Sequence, residues 1–122
     1  MKNSNLIKDK SYDFALHIIK IVQKIRNQHN EYALTGQLIR SGTSIGANIE
    51  EAVGAQSRND FLHKISVAYK EARESNYWIR LLRDTKYLNA QVAEKLLKEN
   101  LELLKIIGSI QKTIKKSGSL GN

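Results

Sequence analysis

Residues Phe61–Leu82 read FLHKISVAYKEARESNYWIRLL. Within this stretch Phe61, Ile65, Ala68, Ala72, Ser75, Ile79 and Leu82 succeed one another at alternating steps of four and three. That spacing puts them on one side of an α-helix, as a row of the kind that packs on antiparallel neighbours. Ser57 is placed to cap the helix start, and Asp60 three residues on makes a weak capping box. The pattern predicts a helix over 58–86, roughly 43 Å long at 1.5 Å per residue.

The rest of the chain reads the same way. None of the 122 residues is Pro, the residue that breaks helix interiors. Upstream, Phe14, Ile18, Ile21 and Ile25 form one row and Ala15, Ile19 and Val22 the next. With Ser11 as N-cap and Asp13 in the first turn, this predicts a helix over 12–28, ended by the polar run Asn27–Asn30. A second helix, over 33–55, has the weaker row Leu34, Leu38, Ile45, Ile49 and Ala52. Its glycines 36, 42, 46 and 54 lower helix propensity, so two readings stand: one continuous helix, or a break near Gly42. Asn89 caps a fourth helix over 90–116, with Leu96, Leu103, Ile107, Ile110 and Ile114 in one row interrupted by Asn100. Lys112, Lys115 and Lys116 sit where cations favour a helix C-terminus. The expected architecture is all-α, an antiparallel up-down-up-down four-helix bundle over 12–116. A flexible segment over 1–11 precedes it and a disordered tail over 117–122 follows.

Composition excludes several kinds of function. Without Cys there is no disulfide scaffold, thiolate metal site or Cys nucleophile. His17, His29 and His63 form no His-x-x-x-His pair, and Asp60–His63 is a single carboxylate–His pair where a di-metal bundle needs two. Glu50 and Glu51 are adjacent, so they point about 100° apart on a helix and cannot face each other as an acid/base pair. No nucleophile motif or nucleotide loop occurs. The expectation is a non-enzyme with no cofactor and no metal. No apolar run is long enough to span a bilayer, and Met1–Lys10 lacks the apolar stretch of a signal peptide, so a soluble cytoplasmic protein is expected.

Charge points outward. The net charge is +8 and the isoelectric point about 9.8, which favours anionic partners. Residues 31–60 carry two basic and four acidic groups, so the excess lies in the rest of the chain. On the third helix, the side opposite the Phe61–Leu82 row carries His63, Ser66, Lys70, Arg73, Tyr77, Arg80, Asp84 and Tyr87, with Arg83 beside it. Lys70, Arg73, Arg80 and Arg83 are candidate phosphate contacts and Tyr77 a base-stacking platform; Lys20 and Lys24 on the first helix are further candidates. The plainer reading is a solvated face. A different flank holds Val67, Glu71, Glu74, Trp78 and Leu81. Val67, Trp78 and Leu81 read either as a subunit interface or as a widened core.

If the second helix is continuous, Gln37, Ser41, Ser44, Asn48 and Glu51 share one face, with Arg40 beside them. This is a solvated face or a tight helix contact whose polar atoms satisfy one another. Gly42 and Gly46 would let another backbone approach closely.

At these residues the chain resembles a known family. Gln37-Leu38-Ile39-Arg40-Ser41, then Ser44-Ile45 and Asn48-Ile49-Glu50-Glu51, are similar to the hallmark of the four helix bundle protein family. That family includes proteins encoded in intervening sequences of bacterial 23S rRNA genes, also called S23 ribosomal proteins, and accessory proteins of diversity-generating retroelements. Ala68, Lys70-Glu71-Ala72, Glu74 and Tyr77–Leu82 resemble its third helix, and Tyr12-Asp13-Phe14-Ala15 its start. The chain departs from the family pattern in having no Pro before the second helix, Ala52 after Glu51, and Glu71 where Ser is frequent. The resemblance implies a ring-shaped homopentamer of four-helix protomers, with RNA, DNA or a reverse transcriptase as partner and no enzymatic activity. The alternative is a scaffold that docks an acidic protein without touching nucleic acid.

Overall fold

A computed structural model describes the backbone of residues 2–121 and the side chains of residues 5–117. Four helices make up the chain: α1 (Lys2–His29), α2 (Ala33–Val53), α3 (Arg58–Asp84) and α4 (Ala90–Gly121). Each packs on its neighbour in sequence, and α1 closes the bundle against α4. Paired contacts fix the directions. Ser11 meets Gly46 while Ile18 meets Gly42, and Arg40 meets Glu71 while Glu51 meets Lys64. Arg58 meets Ile114 while Asn76 meets Asn100. Lys10 meets Glu102 while His17 meets Glu99. In every pair the numbering rises along one helix and falls along the other, so consecutive helices run antiparallel.

The core is a single cluster that includes Phe14, Ile18, Leu38, Ile45, Ile65, Ile79, Leu82, Leu103 and Ile107. The Phe61–Leu82 row supplies α3's share, with every member buried except the half-buried Phe61. Ser57 caps α3 as expected, its hydroxyl accepting the Asp60 N–H at 3.0 Å. Asn89 caps α4, its Oδ1 accepting the N–H groups of Gln91 and Val92. Asn30 takes φ 53° and donates its N–H to the Arg26 carbonyl, closing α1 with a left-handed cap of the kind Asn tolerates. Asn100, the polar break in the α4 row, is buried and donates to the Ala72 carbonyl at 2.9 Å.

Besides the ends of α1 and α2, which fall one residue later and two residues earlier than expected, the boundaries differ in three places. The segment 1–11, expected to be flexible, is helical from Lys2, and Ile7 sits in the core at 1% exposure. Ser11 is therefore no N-cap. It is a buried residue inside α1 whose hydroxyl donates to the Lys8 carbonyl. The physical reason is that Ile7 and Ser11 prolong the Phe14 row by steps of four and three, so the core face continues upstream. At the other end, the backbone of the expected tail 117–122 stays helical through Gly121, and Asn122 lies outside the described residues. α3 stops two residues early, at Asp84, where Lys86 takes φ 70° and the N–H groups of Tyr87 and Leu88 return to the Leu82 carbonyl.

α2 is unbroken. A Cβ at Gly42 would lie 3.0 Å from two atoms of Ile18, and one at Gly46 would lie 3.4 Å from the Ser11 carbonyl oxygen. The two glycines are where α1 presses onto α2, which is the close approach their spacing foretold.

Candidate nucleic-acid interface

Arg40, Ser41 and Glu51 of the polar stripe of α2 reach α3. Ser41 and Ser75 are fully buried, and the Ser75 hydroxyl donates to Ser41 Oγ at 2.9 Å. Ser41 in turn donates to the Leu38 carbonyl. Ser44 and Asn48 bond back to carbonyls one turn earlier, those of Arg40 and Ser44. Glu51 reaches Lys64 at 2.9 Å, and Gln37 faces solvent. Ser41 thus lies in a tight helix contact, and Gln37 in solvent.

Arg40 roofs this contact. Its guanidinium pairs with Glu71 at 2.8 Å and with Glu74. The Trp78 indole N–H donates to Glu74 Oε1 at 3.1 Å. That bond and the guanidinium hold the Glu74 carboxyl below the usual carboxylate range. Trp78 is half-buried and packs against the core, while Val67 and Leu81 beside it are partly exposed. The carboxylates on this flank are therefore neutralised within the chain, leaving a mixed strip of apolar surface and satisfied charge.

The outward side of α3 keeps the expected cations in solvent. Lys70, Arg73 and Arg80 are exposed, and Tyr77 is 49% exposed. Arg80 lies over the Tyr77 ring, 5.9 Å from its centroid, and donates to Asn76 Oδ1 at 2.8 Å, so cation and ring sit together on the outward side. Tyr77 also meets Trp78 edge-on at 5.1 Å. Arg83 is drawn aside: it is half-buried and bonds Asp84 at 2.8 Å, which uses up its charge locally. Lys20 and Lys24 are exposed on α1, on the other side of the bundle from α3. The seven expected contacts are thus not one site. Lys70, Arg73, Tyr77 and Arg80 form a continuous stripe, Arg83 is compensated, and the two α1 lysines stand apart.

Sequence reasoning missed the neighbouring half of the face. Lys98, Lys105 and Lys112 on α4 recur every seven residues and are exposed. Lys105 and Lys112 line an open groove of about 520 Å³ with Tyr69 of α3. The signal was present, since lysines at heptad spacing share a helix face; only the packing of α4 on α3 brings Lys105 and Lys112 to Tyr69. Among the described residues, Lys70, Arg73, Arg80, Lys98, Lys105 and Lys112 enter no ion pair. Among the described residues no three His, Cys, Asp or Glu side chains converge as metal ligands, and no helix is long and apolar enough to cross a membrane.

Fold and site together define a four-helix bundle protein whose candidate site is an exposed, basic face shared by two helices. The chain belongs to the 23S rRNA-intervening sequence protein family, whose sequence model matches residues 3–109. It is similar to a protein of unknown function from the S23 ribosomal protein family of Bacteroides thetaiotaomicron. That crystal structure aligns with a TM-score of 0.88 at 43% identity, over 90% of this chain and 98% of the other. No curated protein matches it. The resemblance read from Gln37–Glu51 and Ala68–Leu82 therefore holds, and neither description names a catalytic activity.

Proposed function

We propose that this protein is a non-catalytic homo-oligomer, a pentamer, that binds RNA or DNA through its basic helix faces. The observation that carries the reading is the stripe Lys70, Arg73, Tyr77 and Arg80, solvent-exposed and free of ion pairs among the described residues. Arg40, Lys64 and Arg83 spend their charge on ion pairs, whereas the stripe's cations stay open to an external anion. Unpaired cations on a face that also shows aromatic rings suit phosphates and bases. In a ring each cation recurs on every subunit, so contacts that are weak singly add through avidity.

Oligomerisation is supported by the strip of Val67, Trp78 and Leu81, whose neighbouring carboxylates are already paired to Arg40 and would bring little uncompensated charge into an interface. A cyclic assembly needs a second, different surface. The outer side of α1 offers one, with Tyr12 63% and Leu16 40% exposed.

The test is charge reversal. Arg73→Glu with Arg80→Glu should weaken binding to mixed-sequence RNA or DNA by more than about tenfold at low salt while the melting temperature holds. Undiminished binding by that variant would overturn the stripe as the site. No binding by the unaltered protein would leave the acidic-protein scaffold.

A further inference from the structure

We infer that the groove between α3 and α4 seats an unpaired nucleic-acid base, stacked on Tyr69, while Lys105 and Lys112 hold the phosphates beside it. This rests on the nucleic-acid reading above and specifies the kind of strand taken.

Four observations carry it. First, the groove is lined by one half-buried aromatic ring, Tyr69, two leucines, Leu101 and Leu104, and two lysines, with Gly108 and Ser109 completing it. An open, largely apolar groove rimmed by cations suits a flat base attached to a phosphate. Second, Leu101 is 49% exposed at the rim, so apolar surface is left for a ligand to cover. Third, Gly108 is not required by packing. A Cβ there would come no closer than 3.8 Å to Tyr69 Cε2, an ordinary contact. Glycine is the poorest helix former after proline, so the fold alone would favour alanine. What glycine does at this place is leave Tyr69 Cε2 without a side chain against it. Fourth, the walls are held from both ends. The Gln111 amide donates to Ser66 Oγ at 3.3 Å near one end, and Asn100 donates to the Ala72 carbonyl near the other. A slot fixed before binding loses little ordering entropy when it is filled.

The strand preference follows from shape. In a duplex the bases are stacked on one another, and mainly phosphates face a flat basic surface. A base must leave the stack to reach Tyr69, so the groove discriminates for single strands. Arg73, one turn beyond Tyr69 and exposed, continues the cationic track toward Arg80.

The experiment is fluorescence anisotropy of a labelled mixed-sequence strand, run as RNA and as DNA, each alone and annealed to its complement, with unaltered protein and two variants. Tyr69→Leu keeps apolar volume but removes the stacking ring, and Gly108→Leu fills the slot. The unaltered protein should bind the single strand about tenfold or more tighter than the duplex, in RNA or in DNA, since one base on an aromatic ring gives that order of preference. Both variants should lose this preference and keep their duplex affinity. If Gly108→Leu does not fold, Tyr69→Leu alone decides. Equal affinity for strand and duplex in both nucleic acids, or a preference that survives Tyr69→Leu, overturns the groove while the basic-face reading stands. Absence of binding to all four probes at low salt overturns both.

Discussion

At the scale of single residues, glycines separate what the fold needs from what it tolerates. Gly42 faces Ile18, a fully buried side chain whose atoms would stand 3.0 Å from a new Cβ. Ile18 would have to shift within the core, so Gly42→Ala should lower stability by about 1 kcal/mol despite its better helix propensity. Gly108 meets nothing closer than 3.8 Å, and Gly108→Ala should raise stability by up to about 1 kcal/mol. Urea denaturation of the two variants checks the pair, and like signs would contradict the packing described here. The sequence made the first of these legible, because two glycines four apart mark a close approach. It hid the second, since nothing local to Gly108 tells that Tyr69 lies across from it. Ser11 was misleading for a related reason. A serine two residues before an aspartate and an apolar row has the form of an N-cap, and only the position of Ile7 in the core shows that the row begins earlier.

At the scale of helices, the interior of each element was readable and the ends were less so. The three-and-four rhythm of α3 places nearly every one of its core residues. The start of α2 has no such rhythm to read. Tyr32, its N-cap, makes no side-chain capping bond. The carboxylate of Glu31 serves instead, accepting the N–H groups of Leu34 and Thr35 at 2.9 Å each. Partial burial pushes the Glu31 carboxyl upward, but these bonds outweigh it and hold the group below its ordinary value of 4.5. A carboxylate whose pKa is depressed by folding contributes stability above its unfolded pKa and loses it as pH falls through the folded value. Glu31→Ala should therefore cost about 1 kcal/mol at neutral pH, the usual worth of a helix cap. The difference between variant and parent should shrink below about pH 4.5 and vanish in stronger acid. Urea midpoints measured across that range test it, and a gap independent of pH would mean that Glu31 does not cap α2 as a carboxylate.

At the scale of the whole molecule, the bundle was legible because helical periodicity and short connections suffice to specify it. The candidate face was only half legible, because it is assembled from two helices. Along α3 the stripe Lys70–Arg80 could be read from spacing. Its continuation through Lys98, Lys105 and Lys112 depends on which side of α4 meets α3, and that is a tertiary fact. The apolar flank makes a separate prediction about assembly. Leu81→Glu puts a charge on a partly exposed position, and Trp78→Ala removes the largest side chain of the strip. Either should reduce the mass found by size-exclusion chromatography with light scattering to that of a smaller species. An unchanged oligomeric mass for both would remove this flank from the interface.

The claim on which the functional account turns is that the unpaired cations of α3 and α4 meet phosphates. The most direct measurement is the salt dependence of nucleic-acid binding by the unaltered protein. Each phosphate neutralised steepens the fall of log K with log salt by about 0.7 for single strands and 0.9 for duplex DNA. Three or more contacts would thus give a slope beyond about −2, and that is the predicted result. A flat dependence, or no complex even at the lowest salt, would contradict it.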